Sequence, residues 1–246
     1  MHNDTAPPIT VATMTLAATA AEEALLEQSV RELAHHGWPV VLTDGGSTDA
    51  FVSRLRDIPG VCVQSAVGLV PQIAASITGA LRSGASFVLY TEPDKMAFFA
   101  GHIEDFGARS RDVGLQAVCL AARSAAAFRT YPQHQQATEA IINARCSEAF
   151  GLPGDYSYGP FVVSRELAAR LTAVPERLGW GWRHFAFAVA HRLGYSLAMV
   201  EGPYDCPVAQ QYEDCGYRAD RDRQLRQNLE GLAQGISAPL SLPPAD

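Results

Sequence analysis

Acidic residues follow two apolar, strand-like runs of this chain, and both groups have the composition of a ligand-binding turn. The run 40–43 leads into segment 44–49, Asp-Gly-Gly-Ser-Thr-Asp, and the run 87–91 leads into segment 92–95, Glu-Pro-Asp-Lys. Glycine and proline favour tight turns at both places. Open α/β sheets bind their ligands beyond the carboxyl ends of the strands. Both segments are therefore candidate binding loops at one edge of a sheet.

The side chains in these loops suit a nucleotide ligand. Asp44 is an acceptor for a ribose hydroxyl or a base N–H, and backbone N–H groups at a helix start suit phosphate oxygens. Glu92 and Asp94 are hard oxygen ligands for a divalent cation that in turn binds a diphosphate. Lys95 adds a positive charge beside them. The alternative for each loop is an ordinary turn between a strand and a helix.

Strands and helices alternate along the first half of the chain with short turns, which predicts an α/β fold with a parallel sheet. The second half is less regular. The predicted strands cover about 9–15, 38–43, 60–64, 85–91, 114–120, 155–163 and 196–200. The predicted helices cover about 19–34, 49–58, 70–82, 96–108, 133–150, 167–171, 183–193 and 218–232. Thr19 and Glu22 form a capping-box pattern at the first of these helices.

The 246 residues fit one domain, and no convincing linker divides them. We predict a loose tail at 1–8, a single domain at 9–235 and a Pro-rich tail at 236–246. The domain would comprise a nucleotide-binding half at about 9–121 and an acceptor half at about 122–235.

Charge and hydropathy exclude several classes of partner. The net charge is −7, with 19 basic and 26 acidic residues and no basic cluster, which argues against nucleic acid. No apolar stretch reaches the roughly 18 residues of a membrane span. The five cysteines form no C-x-x-C motif, and the N-terminus is polar, so we expect a cytoplasmic protein. A homo-oligomer is compatible with this composition.

Two further segments extend the pattern. Segment 156–160 is Tyr-Ser-Tyr-Gly-Pro, and segment 179–184 is Gly-Trp-Gly-Trp-Arg-His. With the two acidic loops they make the chain resemble GT-A fold glycosyltransferases of the family 2 type over about residues 9–205. That family has a strand ending in an acidic D-D/G-S-x-D loop, then a D-x-D-like motif about fifty residues on, an aromatic acceptor segment and a G-W-type helix.

The resemblance implies an open, mainly parallel (mixed) sheet flanked by helices, and transfer of a sugar from a nucleotide-diphosphate sugar to a hydroxyl on a small-molecule or glycan acceptor. It assigns nucleotide binding to Thr13, Asp44, Gly45, Ser47, Asp49 and Lys95. It assigns Mg²⁺ or Mn²⁺ binding to Glu92 and Asp94. It places Tyr156, Tyr158, Gly159, Trp180 and Trp182 on the acceptor and sugar side. His184 and Asp94 would be the catalytic residues.

The chain departs from the family where the catalytic base is expected, because Arg183-His184 replaces an acidic Glu-Asp pair. His184 is one candidate base, and Asp155, Glu201 and Asp205 are the others. Two other functions stay open. A nucleotidyltransferase would need a Gly-rich loop with Arg and Lys after the first strand, which 15–18 does not supply. A non-catalytic nucleotide-sugar-binding protein would keep the fold without the base. The donor sugar, the nucleotide base, the acceptor and the stereochemistry stay open as well.

Overall fold

The computed structural model describes residues 8–237. Within that range the chain forms seven strands: β1 (Ile9–Thr15), β2 (Val40–Asp44), β3 (Val61–Ser65), β4 (Phe87–Tyr90), β5 (Ala117–Arg123), β6 (Phe161–Ser164) and β7 (Ser196–Gly202). The predicted tails at 1–8 and 236–246 lie outside the described residues, except for residues 8, 236 and 237.

The same range contains ten α-helices. They are α1 (Ala20–His35), α2 (Asp49–Arg56), α3 (Leu69–Arg82), α4 (Met96–Gly101), α5 (Ile103–Val113), α6 (Ala125–Phe128), α7 (Gln133–Phe150), α8 (Arg165–Arg170), α9 (Trp182–Arg192) and α10 (Cys215–Ser237). Short 3-10 turns cover Leu171–Ala173, Glu176–Gly181 and Val208–Gln210. None of these helices combines the length and the apolar character that crossing a membrane requires.

The chain contacts divide the described residues into two compact units. The first contains 8–115 and 160–173, and the second contains 116–159 and 174–237. The chain therefore leaves the first unit after β4 and its helices and later returns to it with β6 and α8.

The first unit is built on five strands in the order β3-β2-β1-β4-β6. β1 pairs in parallel with β2 and β4, β2 pairs in parallel with β3, and β6 runs antiparallel to β4. Buried apolar residues pack one face of this sheet against its helices, as in the cluster of Val30, Leu42, Phe51 and Leu55. The carboxyl ends of β2 and β4 thus lie on either side of β1 at one edge of the sheet.

The second unit contains β5 and β7, which pair in parallel from Ala117 opposite Ser196 to Arg123 opposite Gly202. The predicted α/β class, with a mainly parallel, mixed sheet flanked by helices, is confirmed.

Local sequence signals explain several element boundaries. Thr19 and Glu22 form the predicted capping box, because the Thr19 hydroxyl accepts from Glu22 N–H while the Glu22 carboxylate accepts from Thr19 N–H. Gly151 ends α7 in the left-handed conformation at φ 67°. One predicted helix is wrong in detail: 96–108 is interrupted at His102, whose φ of −138° is not helical, and it forms α4 and α5.

Candidate active site

Asp44 ends β2, and its carboxylate holds the following turn in place. Oδ2 accepts hydrogen bonds from the backbone N–H groups of Gly46 at 2.8 Å and Ser47 at 2.9 Å. Oδ1 accepts from the hydroxyls of Ser47 at 2.6 Å and Thr15 at 3.2 Å. A carboxylate has about four lone-pair sites, so its acceptor capacity is filled within the chain. Asp44, 2% exposed, therefore anchors the loop that a ligand would contact.

A second set of contacts fixes the ends of β1 and β2 beneath this loop. Gly45 N–H donates to the Thr15 carbonyl at 2.8 Å. The buried Gln72 side chain, from the first turns of α3, donates to the carbonyls of Thr15 at 2.8 Å and Thr43 at 3.2 Å. A Cβ at position 45 would lie 2.7 Å from the Gln72 amide nitrogen. A side chain at position 45 would therefore displace the amide of Gln72, a residue that the sequence pattern did not single out.

The other predicted residues of the first loop divide between structural and exposed positions. The Ser47 hydroxyl accepts from Ala17 N–H at 2.9 Å as well as donating to the carboxylate of residue 44. Thr48 is the N-cap of α2, since its hydroxyl accepts from Phe51 N–H at 3.2 Å. Asp49 is exposed at the first position of that helix. Ser47 shapes the turn, and Asp49 leaves a carboxylate at the surface.

Thr13 lies away from the loop surface. It is fully buried in the middle of β1, where its backbone pairs with Leu42. The Thr13 side chain is therefore closed to solvent in this structure.

The second loop follows β4 and carries the charged residues that the sequence predicted. Glu92 is buried, whereas the Asp94 side chain is 53% exposed. Lys95 Nζ lies 3.0 Å from Asp94 Oδ2, and the Lys95 side chain is 18% exposed. Lys95 is also the sole lysine of the chain, all other basic residues being arginines. The loop thus carries one buried carboxylate, one exposed carboxylate and one ammonium group directly before α4.

The donor set of this loop fits a divalent cation that is shared with a ligand. The described residues contain no cluster of three or more His, Cys, Asp or Glu side chains that could enclose a metal by themselves. Mg²⁺ is commonly held by one or two carboxylates together with substrate phosphates and water. Glu92 and Asp94 supply two such carboxylates, so they could hold Mg²⁺ or Mn²⁺ when a diphosphate completes the coordination.

The tyrosines predicted for the acceptor side lie in the interior of the second unit. Tyr156 and Tyr158 are both buried. The Tyr156 hydroxyl donates to the Leu152 carbonyl at 2.6 Å. The Tyr158 ring stacks on Tyr204 with a centroid distance of 5.0 Å and an interplanar angle of 13°. Both side chains pack the unit around segment 155–159.

The predicted Gly-Trp segment is mixed in exposure. Trp182 is fully buried at the start of α9, and Trp180 is half-buried in the preceding 3-10 turn. Gly159 is buried and adopts φ 133°, a conformation that favours glycine. Of the predicted aromatic residues, Trp180 keeps ring surface that an acceptor could contact.

His184 is 0% exposed within α9. Burial lowers the pKa of its imidazole to about 3, and the charge of Arg183 acts in the same direction, while Asn228 and Asp155 oppose them. The ring is therefore neutral at pH 7, but a base of such low pKa is a poor proton acceptor near neutrality. His184 has no solvent-exposed surface in this structure, so an acceptor hydroxyl could contact it only after its surroundings rearrange.

A buried ion-pair network that the sequence analysis missed organises the second unit. Arg123, at the end of β5, bonds Asp155 through Nε at 2.7 Å and Glu139 through Nη2 at 2.6 Å. Its guanidinium also lies 4.4 Å from the Tyr131 ring centroid. Burial would raise the pKa of Asp155, but Arg123 outweighs it and holds that pKa below its usual range. Asp155, which the sequence analysis named as a candidate base, is thus ion-paired with Arg123.

Comparison with known proteins identifies the fold. No family model matches the chain, and no curated protein matches it. Solved structures do match. A crystal structure of Mycobacterium tuberculosis glucosyl-3-phosphoglycerate synthase is similar at a TM-score of 0.64 and 18% identity, covering 96% of this chain and 82% of that one. A structure of the same enzyme with Mn²⁺, UDP-glucose and phosphoglyceric acid is similar at a TM-score of 0.67 and 17% identity, and the match covers 96% of this chain and 81% of that one.

The chain therefore has the fold of a GT-A glycosyltransferase, as its sequence motifs predicted. At this level of identity the similarity concerns the fold, and the chemistry has to be argued from the residues of the site.

Proposed function

We propose that this protein transfers a sugar from a nucleotide-diphosphate sugar to a hydroxyl acceptor. One observation carries the proposal: the first unit places the Asp44 loop and the loop 92–95 at the same sheet edge, on the two strands that flank β1. Adjacent strands are about 4.8 Å apart, so the two loops begin about 10 Å from each other. A nucleoside diphosphate can extend from one loop to the other.

The charges of the two loops support a division of roles. Backbone N–H groups and the carboxylate of Asp49 near the start of α2 would contact the nucleoside, on a turn that Asp44 holds in shape. Glu92 and Asp94 would hold Mg²⁺ or Mn²⁺, and Lys95 would place its ammonium group beside the diphosphate. When bound, the divalent ion supplies Lewis-acid stabilisation of the charge on the departing diphosphate.

The solved structures suggest which donor to test first. The similar synthase was crystallised with UDP-glucose, Mn²⁺ and phosphoglyceric acid. We propose a UDP-sugar donor on this basis. A cytoplasmic location, as expected from the sequence, would supply such a donor.

Replacement of Asp94 tests the proposal directly. Asp94→Asn keeps the size of the side chain but removes the charge that would hold a metal. We expect Mn²⁺-dependent UDP affinity, measured by calorimetry, to fall about tenfold or more, as for a lost hydrogen bond or ligand to a charged group. Asp105→Asn is a matched control, because Asp105 is likewise exposed and ion-paired, 3.4 Å from Arg109 on α5. Equal UDP affinity in Asp94→Asn and wild type, or no UDP affinity in wild type, would contradict the proposal.

The buried position of His184 favours one second candidate, a nucleotide-sugar-binding protein without catalysis. The Glu-Asp pair of the resembled family is absent, and the residue in its place has no exposed atom. The two functions differ in one measurement. A binding protein would bind UDP-glucose without releasing UDP in the presence of phosphoglycerate and a panel of sugar acceptors, whereas a transferase would release UDP with at least one of them.

A further inference from the structure

The buried face of α1 contacts the acidic loop. Ser29 lies on this face and is 3% exposed. Its hydroxyl donates to the carbonyl oxygen of Pro93 at 2.5 Å, across 64 residues of sequence. Pro93 is the residue between Glu92 and Asp94, so this hydrogen bond reaches the centre of the proposed metal loop.

The same helix face makes a second attachment two turns further on. His36 lies directly after α1, and its ring nitrogens contact the Phe99 carbonyl at 2.8 Å and the Glu104 carboxylate at 2.9 Å. Phe99 belongs to α4 and Glu104 to α5. α1 therefore holds the acidic loop at its centre and the following helices at a separate point.

The contact at Pro93 fixes the geometry between two carboxylates. The proline ring already fixes φ of residue 93 near −65°. The remaining soft dihedral is ψ, which sets the direction of the carbonyl that Ser29 holds. With both dihedrals fixed, the backbone of Glu92 keeps a set orientation relative to the backbone of Asp94. A site for a divalent ion needs this kind of fixed relation between its ligands.

We propose that Ser29 is a positioning residue for the metal and diphosphate site, acting through the Pro93 carbonyl on Glu92 and Asp94. The inference rests on the proposed function, because it is that function which makes Glu92 and Asp94 ligands of a metal ion. It adds a residue from a helix that carries none of the residues that the sequence analysis assigned to the site.

The test compares two ligands that differ in their need for the acidic loop. UMP without metal would use the loop that Asp44 holds, whereas UDP with Mn²⁺ would also need Glu92 and Asp94. In Ser29→Ala we expect UDP affinity in Mn²⁺ to fall about fivefold, the equivalent of one intramolecular hydrogen bond, with UMP affinity unchanged. Calorimetry measures both, and titration with Mn²⁺ alone shows whether the metal affinity falls as well.

Two further variants separate positioning from general stability. Ser110→Ala removes a similar buried contact, because the Ser110 hydroxyl donates to the Phe106 carbonyl at 2.7 Å within α5. It should lower the melting temperature without changing the ratio of UDP to UMP affinity. Ser29→Thr retains the hydroxyl and should restore the ratio that Ser29→Ala loses.

Each outcome addresses one claim. If wild type binds Mn²⁺-UDP but Ser29→Ala leaves the UDP-to-UMP ratio unchanged, the positioning role is overturned while the proposed function stands. If wild type binds neither Mn²⁺ nor UDP, both are overturned.

Discussion

Replacing Asp44 by alanine tests whether this carboxylate serves the fold of its loop or contacts the ligand. The carboxylate accepts four hydrogen bonds from within the chain. Asp44→Ala removes all four hydrogen bonds at once. The sequence analysis assigns Asp44 to nucleotide binding, whereas its contacts in the structure predict a loss of stability as well.

The size of the loss follows from the burial of the donors. A hydrogen bond to a charged group contributes about 1.5–3 kcal/mol. Gly46 is exposed, so water can replace the acceptor for its N–H, whereas the Thr15 hydroxyl is buried. Because the four bonds share one acceptor group, their contributions do not add, and we expect a total loss of about 3 kcal/mol. For a chain of this size that lowers the melting temperature by about 6–12 °C.

Urea unfolding and thermal melting measure this loss, and calorimetry with UMP measures binding. Asp49→Ala is the control for the stability measurement alone, since Asp49 is an exposed carboxylate in the same loop, and removing it should cost less than about 1 kcal/mol through the helix dipole. If Asp44→Ala melts within about 2 °C of wild type while UMP affinity collapses, the carboxylate contacts the ligand and the reasoning is refuted.

Two predictions concern the second unit. Because the pKa of His184 is about 3 when folded and near 6.5 when unfolded, the free energy of unfolding should fall by about 2 kcal/mol from pH 7 to pH 5. His184→Gln should remove this pH dependence, whereas His191→Gln, at an exposed position, should keep it. Urea unfolding at the two pH values measures both. If the free energy of unfolding of His184→Gln still falls by the same amount from pH 7 to pH 5, His184 is not the source of the pH dependence. Asp155→Asn leaves the buried charge of Arg123 with fewer partners, so unfolding at pH 7 should become easier by about 3–5 kcal/mol, and a loss below about 1 kcal/mol would contradict that account.

Features that depend on neighbouring residues could be predicted from the sequence. The capping box at Thr19 and Glu22, the strand that ends at Asp44 and the alternation of strands and helices all follow from local patterns. The two acidic loops could be placed at one sheet edge because parallel strands direct their carboxyl ends the same way. The fold class and the resemblance to GT-A glycosyltransferases came from these signals.

Features that depend on contacts between residues far apart in the sequence could not be predicted. Arg123 lies 32 residues from Asp155 and 16 from Glu139, and no local pattern indicates that the three meet. The bond from Ser29 to Pro93 spans 64 residues. The sequence shows Arg123 at the end of an apolar strand and Ser29 within the apolar stripe of a helix. Neither position indicates which distant residue the side chain contacts.

The burial of His184 has the same kind of cause. The Gly-Trp-Gly-Trp pattern indicated a turn beside a site, but exposure is decided by the packing of α10 on α9 and the preceding turn. A Cβ at Gly231 of α10 would lie 2.0 Å from the Gly181 carbonyl oxygen, which shows how closely the two backbones approach. The glycines of α10 make that approach possible. The hydrophobic periodicity of the sequence does not indicate that the two backbones lie so close together.

The late position of β6 in the chain has a consequence for synthesis on the ribosome. β4 ends at Tyr90, but the strand that covers its outer side ends at Ser164, roughly 70 residues later. At usual translation rates the edge of β4 waits about 4–15 s for its antiparallel partner. An exposed, fully apolar edge strand is a template for pairing with other chains. Fragments that stop near residue 115 would keep this edge permanently open, so an N-terminal piece completes the first unit only if it extends through β6 and α8.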